Sequence, residues 1–289
     1  MKFSALCWFS AGHLIAGVKH IDIEDRIMTS KNVSSVSEYL EFIEKDSISN
    51  VLYRGQRFEG GLIPGLFRAF PNYSVKKLLH VEKELLHKLK TYGARKLTRE
   101  YDNPWYLLSE AQHFGLRTRL LDWTTNPLVA LWFACSTSPS LNRTYVYTFN
   151  YDEGNIVSEN SSPFETKGIT VYQPKLYHER VEAQCGWFTA HEPIKKVNGH
   201  YMDMEEQVPN QVNEIIISGL EKKKIMRELD RCSVNEKTMY PELSGLCSYI
   251  NHLLVDKVVQ EQEIREEAER ESQELMLEEK YRDWNFRNK

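Results

Sequence analysis

The chain lacks most of the signatures by which a sequence declares its chemistry. Its 289 residues hold no H-E-x-x-H, no G-x-x-x-x-G-K-[ST], no G-x-G-x-x-G and no G-x-S-x-G. The helical zinc site, the phosphate-cradling lysine loop, the dinucleotide fingerprint and the nucleophile elbow are therefore without their residues. Cysteine is scarce: Cys7, Cys135, Cys185, Cys232 and Cys247 are odd in number, widely spaced and form no C-x-x-C pair. That leaves neither a metal cluster nor a disulfide framework, and it fits buried thiols in a reducing cytoplasm. Charge of one sign is scarce too, because 37 basic side chains stand against 41 acidic ones. A net charge of -4 exerts no global pull on nucleic acid or an anionic membrane. No apolar run is long enough to span a bilayer.

What is present is a chain able to bury one sizeable core. The first 20 residues, MKFSALCWFSAGHLIAGVKH, are mostly apolar, but His13 interrupts them and no small-x-small cleavage site follows. Residues 1–27 therefore read as an N-terminal extension or an upstream start ahead of Met28, in preference to a signal peptide. Residues 28–255 form the main domain. From Asp256 the composition turns acidic, with Glu261, Glu263, Glu266, Glu267, Glu269, Glu271, Glu274, Glu278 and Glu279, and no apolar heptad is sustained. Residues 256–289 are expected to be a charged helix or a partly disordered tail, whose late cluster Leu275, Met276, Leu277, Tyr281, Trp284 and Phe286 docks on the body or on a protein partner.

Hydrophobic spacing predicts a helix from Ser34 or Ser35 to about Lys45, a strand over 50–56, and an amphipathic helix over 75–92. Pro104 opens a helix over 105–114, and Asn126-Pro127 starts the apolar helix LVALWFAC. Residues 144–151, 168–172 and 214–218 read as strands, 119–122 as a short buried strand or turn, and 180–189 as one strand or helix edge. Helices over 221–230 and near 246–254 complete an α+β pattern, with a single mixed or antiparallel sheet flanked by helices.

Three polar islands interrupt this pattern. Tyr53-Arg54-Gly55-Gln56 places an arginine at a strand end, where a guanidinium suits a phosphate and the glycine allows close backbone approach. An arginine paired with a core carboxylate such as Asp122 is the other account. The stretch 109–135 holds Gln112, His113, Arg117, Arg119, Asp122, Trp123, Thr124 and Asn126 among apolar neighbours. Arg119 and Asp122 lie close enough to pair, Trp123 offers an aromatic face, Thr124 or Thr125 can cap the next helix, and His113 can act as acid or base or serve structurally. The third island, 180–189, carries Glu182 and Gln184 in a segment that otherwise looks buried, where Gln184 either ties the sheet together or faces a cleft shared with Arg54.

Taken in order, Tyr53-Arg54-Gly55-Gln56, Leu62-Ile63-Pro64, Leu66-Phe67-Arg68, Ala111-Gln112-His113 with Gly115, and Thr118 to Thr124 with Asn126-Pro127 and Ala130 closely resemble the FRG domain. Arg180, Ala183-Gln184, Gly186 and Phe188, then Lys223, Ile225, Leu229, Tyr240-Pro241, Leu243 and Gly245-Leu246 continue the likeness. Arg117 stands where the family usually has proline. A looser resemblance to ADP-ribosyltransferase-like folds implies that type of sheet core. It also implies NAD as cofactor in a cleft, with transfer of ADP-ribose or hydrolysis of NAD.

On that resemblance Arg54, flanked by Tyr53, Gly55 and Gln56, holds phosphate, Tyr53 or Trp123 stacks on a ring, Thr124 positions ribose, and Arg119 and Asp122 complete the binding wall. Glu182 or Gln184, assisted by His113, sits at the reacting carbon, with Glu205 or Glu206 as other sources of the charge that a glutamine lacks. Two other readings stand beside it. One is a non-catalytic recognition module in which Arg54, Arg119 and Asp122 form a buried ion network. The other is a nucleic-acid-acting domain with Arg54, Arg57, Arg68, Arg117 and Arg119 as its basic patch.

Overall fold

A computed structural model describes residues 32–45, 50–97, 103–136, 142–158, 160–175 and 178–287. The expected extension over 1–27 lies outside these. Strand β1 (Asn32–Val33) leads into α1 (Val36–Lys45), where Ser35 Oγ accepts from Glu38 N at 3.2 Å and caps the helix. Next come β2 (Val51–Gln56), the short α2 (Gly65–Ala69), α3 (Val75–Gly93) and α4 (Pro104–His113). The segment β3 (Leu120–Thr124), α5 (Pro127–Cys135) and β4 (Thr144–Asn150) follows, then β5 (Ile169–Tyr172), α6 (Glu179–Ala183) and β6 (Gly186–His191). The chain ends with α7 (Met204–Gln207), β7 (Val212–Ile217), α8 (Lys222–Arg231), α9 (Glu236–Met239) and α10 (Leu243–Arg287).

The seven strands form one sheet in the order β1-β7-β4-β2-β3-β6-β5. Only β1 and β7 run parallel; the other ladders are antiparallel, so the fold is α+β with a single mixed sheet. No helix of the described residues is long and apolar enough to cross a membrane.

Alternation sorts the strand residues onto two faces. On one face α5 covers β2 and β4, with α1 and α8 packed around Val129, Leu131, Val146, Ile215 and Leu229. Helix α5 is apolar along its length and mostly buried, with Phe133 half-buried at the cleft. Its approach to β2 depends on Gly55: a Cβ there would lie 2.1 Å from Ala130 O and 2.5 Å from Ala134 N, both backbone atoms. The glycine therefore allows α5 to pack closely on β2. Farther along the same face α3 and α4 pack Leu86, Trp105 and Leu108 on Leu120, Phe188 and Ala190. The opposite face buries Leu52, Leu121, Trp123 and Phe149 under Leu62 and Met204.

One charged pair lies inside this packing. On α3 the apolar stripe runs through Leu78 and Leu86, and Glu82 occupies the place between them, 1% exposed. Its carboxylate receives Arg119 Nε at 2.9 and 3.0 Å and also Arg119 Nη2. Arg119 Nη1 donates to Pro163 O at 3.0 Å, and the guanidinium lies 5.2 Å from the Phe164 ring centroid. The pairing of Arg119 with Asp122 expected from sequence does not occur, because Arg119 stands just before β3 and its guanidinium is taken up by Glu82 of α3 and by Pro163 O.

Removing one partner of a fully desolvated ion pair leaves a buried charge uncompensated. Glu82→Ala is expected to lower unfolding free energy by about 3–5 kcal/mol in urea denaturation, while Glu82→Leu combined with Arg119→Leu loses much less. A loss below about 1 kcal/mol for Glu82→Ala would contradict this account.

Candidate functional site

Strands β2 and β3 separate almost as soon as they meet. β2 registers with β4 along its whole length and β3 with β6 along its whole length, but β2 and β3 share only the pair Tyr53 and Thr124. A ladder that short leaves backbone groups in need of other partners. Arg54 provides one: its Nη1 donates to Asp122 O at 2.6 Å and lies 3.8 Å from Asp122 Oδ2. A side chain thus closes the gap that strand pairing leaves open.

Asp122 is fixed from a second direction. Gln112, in the last turn of α4, donates Nε2 to Asp122 Oδ2 at 3.1 Å, and Thr118 Oγ1 donates to Gln112 Oε1 at 2.7 Å. Leu120 N donates to Thr118 Oγ1 at 3.0 Å, so this relay ends on the strand backbone. The Asp122 side chain nevertheless stays 61% exposed. Such an arrangement holds a carboxylate in place without burying it.

Above the split lies a cleft of about 340 Å3, between α5 on one side and α4 with α6 on the other. Tyr53, Arg54, Asp122 and Thr124 form its base, and Gln112, His113, Arg180 and Gln184 its polar rim. Phe133, Trp187 and Tyr240 supply aromatic surface. Concave, aromatic-walled sites with a few convergent polar groups are where small ligands bind.

Residues 49–143 match the family model of the FRG domain. No curated protein and no solved structure matches the chain. The matched span runs from just before β2 to the residue before β4, so it contains Tyr53, Arg54, Gln112, His113, Asp122 and Thr124. Gln184, Arg180 and Tyr240 reach the cleft from beyond it. The matched span thus contributes the base and one rim, and the following strands and helices complete the other.

Among the residues singled out from sequence, Tyr53, Arg54, Gly55, Asp122, Trp123, Thr124, His113 and Gln184 converge on this cleft. The others take different places. Arg119 is 1% exposed against Glu82 and belongs to the core, which also removes it from any surface basic patch. Gln56 turns back on its own loop, donating Nε2 to Phe58 O at 3.1 Å and Gly60 O at 2.7 Å. Trp123 touches the cleft, but it is 3% exposed and its Nε1 donates to Thr189 Oγ1 at 2.9 Å, so its ring is held in the opposite core and is no stacking platform.

The segment expected as one strand or helix edge is split in two. Glu182 stands on the short helix α6 and points to solvent, whereas Gln184 is that helix's C-cap and donates Nε2 to Met239 O at 3.0 Å. They do not share a strand face. Glu205 accepts from Leu62 N at 3.2 Å and Glu206 pairs with Lys196 at 2.5 Å; neither lines the cleft. Asp122 is the one carboxylate among the lining residues. Asn126, not Thr124 or Thr125, caps α5: its Oδ1 accepts from Leu128 N, and Thr124 Oγ1 accepts from Asn126 N, both at 3.0 Å.

Two histidines near the cleft escaped sequence reasoning. His178 stacks on His113 with centroids 4.5 Å apart and an interplanar angle of 10°, and its Nε2 lies 2.7 Å from Glu110 Oε2. Burial pulls the His113 pKa down, and neighbouring His178 and Arg180 add to the effect, so its ring is neutral near pH 7. The alternation of β6 gives the only sequence signal for the second: His191 sits two residues after Thr189, which bridges it to Trp123. It is fully buried 2.8 Å from Thr189 Oγ1, and burial, with Arg54 and Arg119 nearby, pushes its pKa down to about 3.

The folded-state pKa of His191 lies below the ordinary value of 6.5, so the unfolded chain binds this proton more readily. Its contribution to stability is present above pH 6.5 and is lost as pH falls toward about 3. Chemical denaturation between these limits should show stability falling steadily with acidity, and His191→Gln should flatten that slope. An unchanged slope in the variant would show that other groups carry it.

Proposed function

We propose that the cleft binds NAD or a related nucleotide and that the protein transfers ADP-ribose from it or hydrolyses it. The observation that carries this reading is the convergence of Arg54, Thr124 and Gln184, from three separate parts of the chain, at the split between β2 and β3. These positions follow one another in the order that the resemblance to ADP-ribosyltransferase-like folds implies. Burial lowers the pKa of Arg54, Asp122 opposes that shift and Arg68 reinforces it. A phosphate would restore balance to this crowded cationic group. Tyr53, opposite Thr124 in register, offers the aromatic face that Trp123 does not.

Breaking the nicotinamide glycosidic bond sends both bonding electrons to the departing ring and leaves cationic character on the ribose. The Asp122 carboxyl group, fixed at the base of the cleft, stabilises that charge; Gln184 at the rim orients the sugar by hydrogen bonding. An incoming water or acceptor hydroxyl forms the new bond to the ribose carbon, and its proton passes to the neutral His113 ring.

A recognition module without catalysis is the second reading. It is favoured by the Arg54 bond to Asp122 O, which makes part of that arginine's role architectural.

Calorimetric titration with NAD and with ADP-ribose, joined to chromatographic detection of released nicotinamide, tests the proposal. Losing a charge-assisted hydrogen bond costs about 1.5–3 kcal/mol, so Arg54→Ala should weaken binding roughly 10- to 100-fold. Arg54→Lys would recover only part, because a point charge cannot reproduce the planar fork. His113→Asn should retain binding and lose turnover. Binding of neither ligand by folded wild type would overturn the nucleotide reading, and binding without nicotinamide release would leave the recognition module.

A further inference from the structure

Helix α10 is far longer than the body can cover. Its 45 residues extend for about 67 Å at the usual helical rise. Its early turns pack on α9 and face α8 across a groove of about 930 Å3, while among the described residues none beyond Gln260 lines that groove. A notable apolar surface stays exposed along it: Leu246, Ile250, Leu253, Leu254 and Val258, then Ile264 at 66% and Leu275 at 62%. Spacings of three and four residues keep Leu246, Ile250 and Leu253 on one side. Contiguous exposed apolar surface of this kind marks an interaction site.

Charge divides the same helix. The groove beside its first half is bordered by Lys223, Arg227 and Arg231 of α8 and by Lys257 of α10 itself, with Asp230 and Glu236, engaged by Asn235 and His252, as its carboxylates. Its second half presents Glu261, Glu266, Glu267, Glu269, Glu271, Glu274 and Glu278, all exposed, against Arg265, Arg270 and Lys280. One element therefore carries a basic-bordered apolar half followed by an acidic half.

We propose that α10 is a self-association surface, on which a second copy of this chain lays its own α10 antiparallel, each acidic half entering the basic groove of the other. This inference is independent of what the FRG-domain cleft binds. Parallel pairing would stack the glutamate-rich halves on each other, and like charges directly opposed are destabilising. Antiparallel pairing joins unlike halves, and the surface is complementary to itself under a two-fold axis. A register centred on Ile264 sets Leu253 against Leu275 and Lys257 against Glu271 of the other copy, joining apolar to apolar and cation to anion along the seam.

Sedimentation equilibrium of the full chain is expected to give twice the 33.9 kDa chain mass, with the dimer weakening as salt is added. Ile264→Glu, which opposes two carboxylates at the axis, should yield a folded monomer. Lys257→Glu or Glu271→Lys alone should raise the dissociation constant about tenfold, because each change acts twice across the axis, and the two together should restore it. Orientation is read by oxidative cross-linking: Leu253→Cys mixed with Leu275→Cys should link above the wild-type background, and neither alone. A chain monomeric at about 100 μM, a dimer indifferent to Ile264→Glu, a charge swap without rescue, or self-linking of Leu253→Cys would each overturn the proposal.

Discussion

The single pair between β2 and β3 is the constraint on which the rest of the candidate site depends. A sheet whose central strands pair once and then diverge must satisfy the released backbone groups by other means, and Arg54 does so by reaching Asp122 O. The same bond keeps a cation next to a carboxylate at the base of an open cleft. Architecture and chemistry are thus inseparable at Arg54: the group that closes the split is also the group best placed to meet an anion. Gln112 and Thr118 extend the arrangement by tethering Asp122 to the end of α4, so the opening of the sheet is held from the helix side as well.

The two sides of the split are anchored by unlike forces. On the β2 side the anchor is steric, since only a residue without Cβ lets the strand lie against Ala130 and Ala134 of α5. On the β3 side it is electrostatic and buried, with Arg119 clasped by Glu82 of α3 and by Pro163 O. Buried ion pairs seldom add net stability compared with apolar packing, but they are exacting about geometry. One that joins α3, β3 and the loop before β5 sets the height of the rim from which Gln112 and His113 project.

Much of the fold was legible in the sequence where periodicity and caps acted together. Helix α3 followed its leucine spacing, α4 and α5 began at their prolines, and β2, β4, β5 and β7 followed their β-rich runs. Legibility failed where a polar residue took a core position. Proximity in sequence suggested that Arg119 would pair with Asp122, but Arg119 stands just before β3 and its guanidinium is held by Glu82 and Pro163 O. The true partner, Glu82, was marked only by its place between Leu78 and Leu86 on an apolar stripe. The segment 180–189 misled for a different reason: Glu179–Ala183 is too short for helical periodicity to register, and Cys185, with φ of 47°, turns the chain sharply into β6. Glu182 and Gln184 both precede that turn, on α6 and at its C-cap and not on a strand, and the one carboxylate among the described residues lining the cleft proved to be Asp122.

This relocation of charge alters what the cleft can do. A glutamate on a strand face would stand against the reacting atoms with few ties of its own. Asp122 instead shares its carboxylate oxygen with Gln112 and lies beside Arg54, so part of its charge is already engaged before any ligand enters. Preorganised charge of this kind favours a ligand whose own anion can take over Arg54 as it binds. Under the proposed function, binding and catalytic readiness would be coupled: a phosphate that drew the guanidinium toward itself would weaken its hold on Asp122 and increase the negative field at the base of the cleft. The cost falls on the β2–β3 gap, which loses the side chain that closes it. On that proposal, ligand binding and the local integrity of the sheet would draw on the same arginine, and the anchors at Gly55 and Glu82 would let the split persist while that arginine is shared.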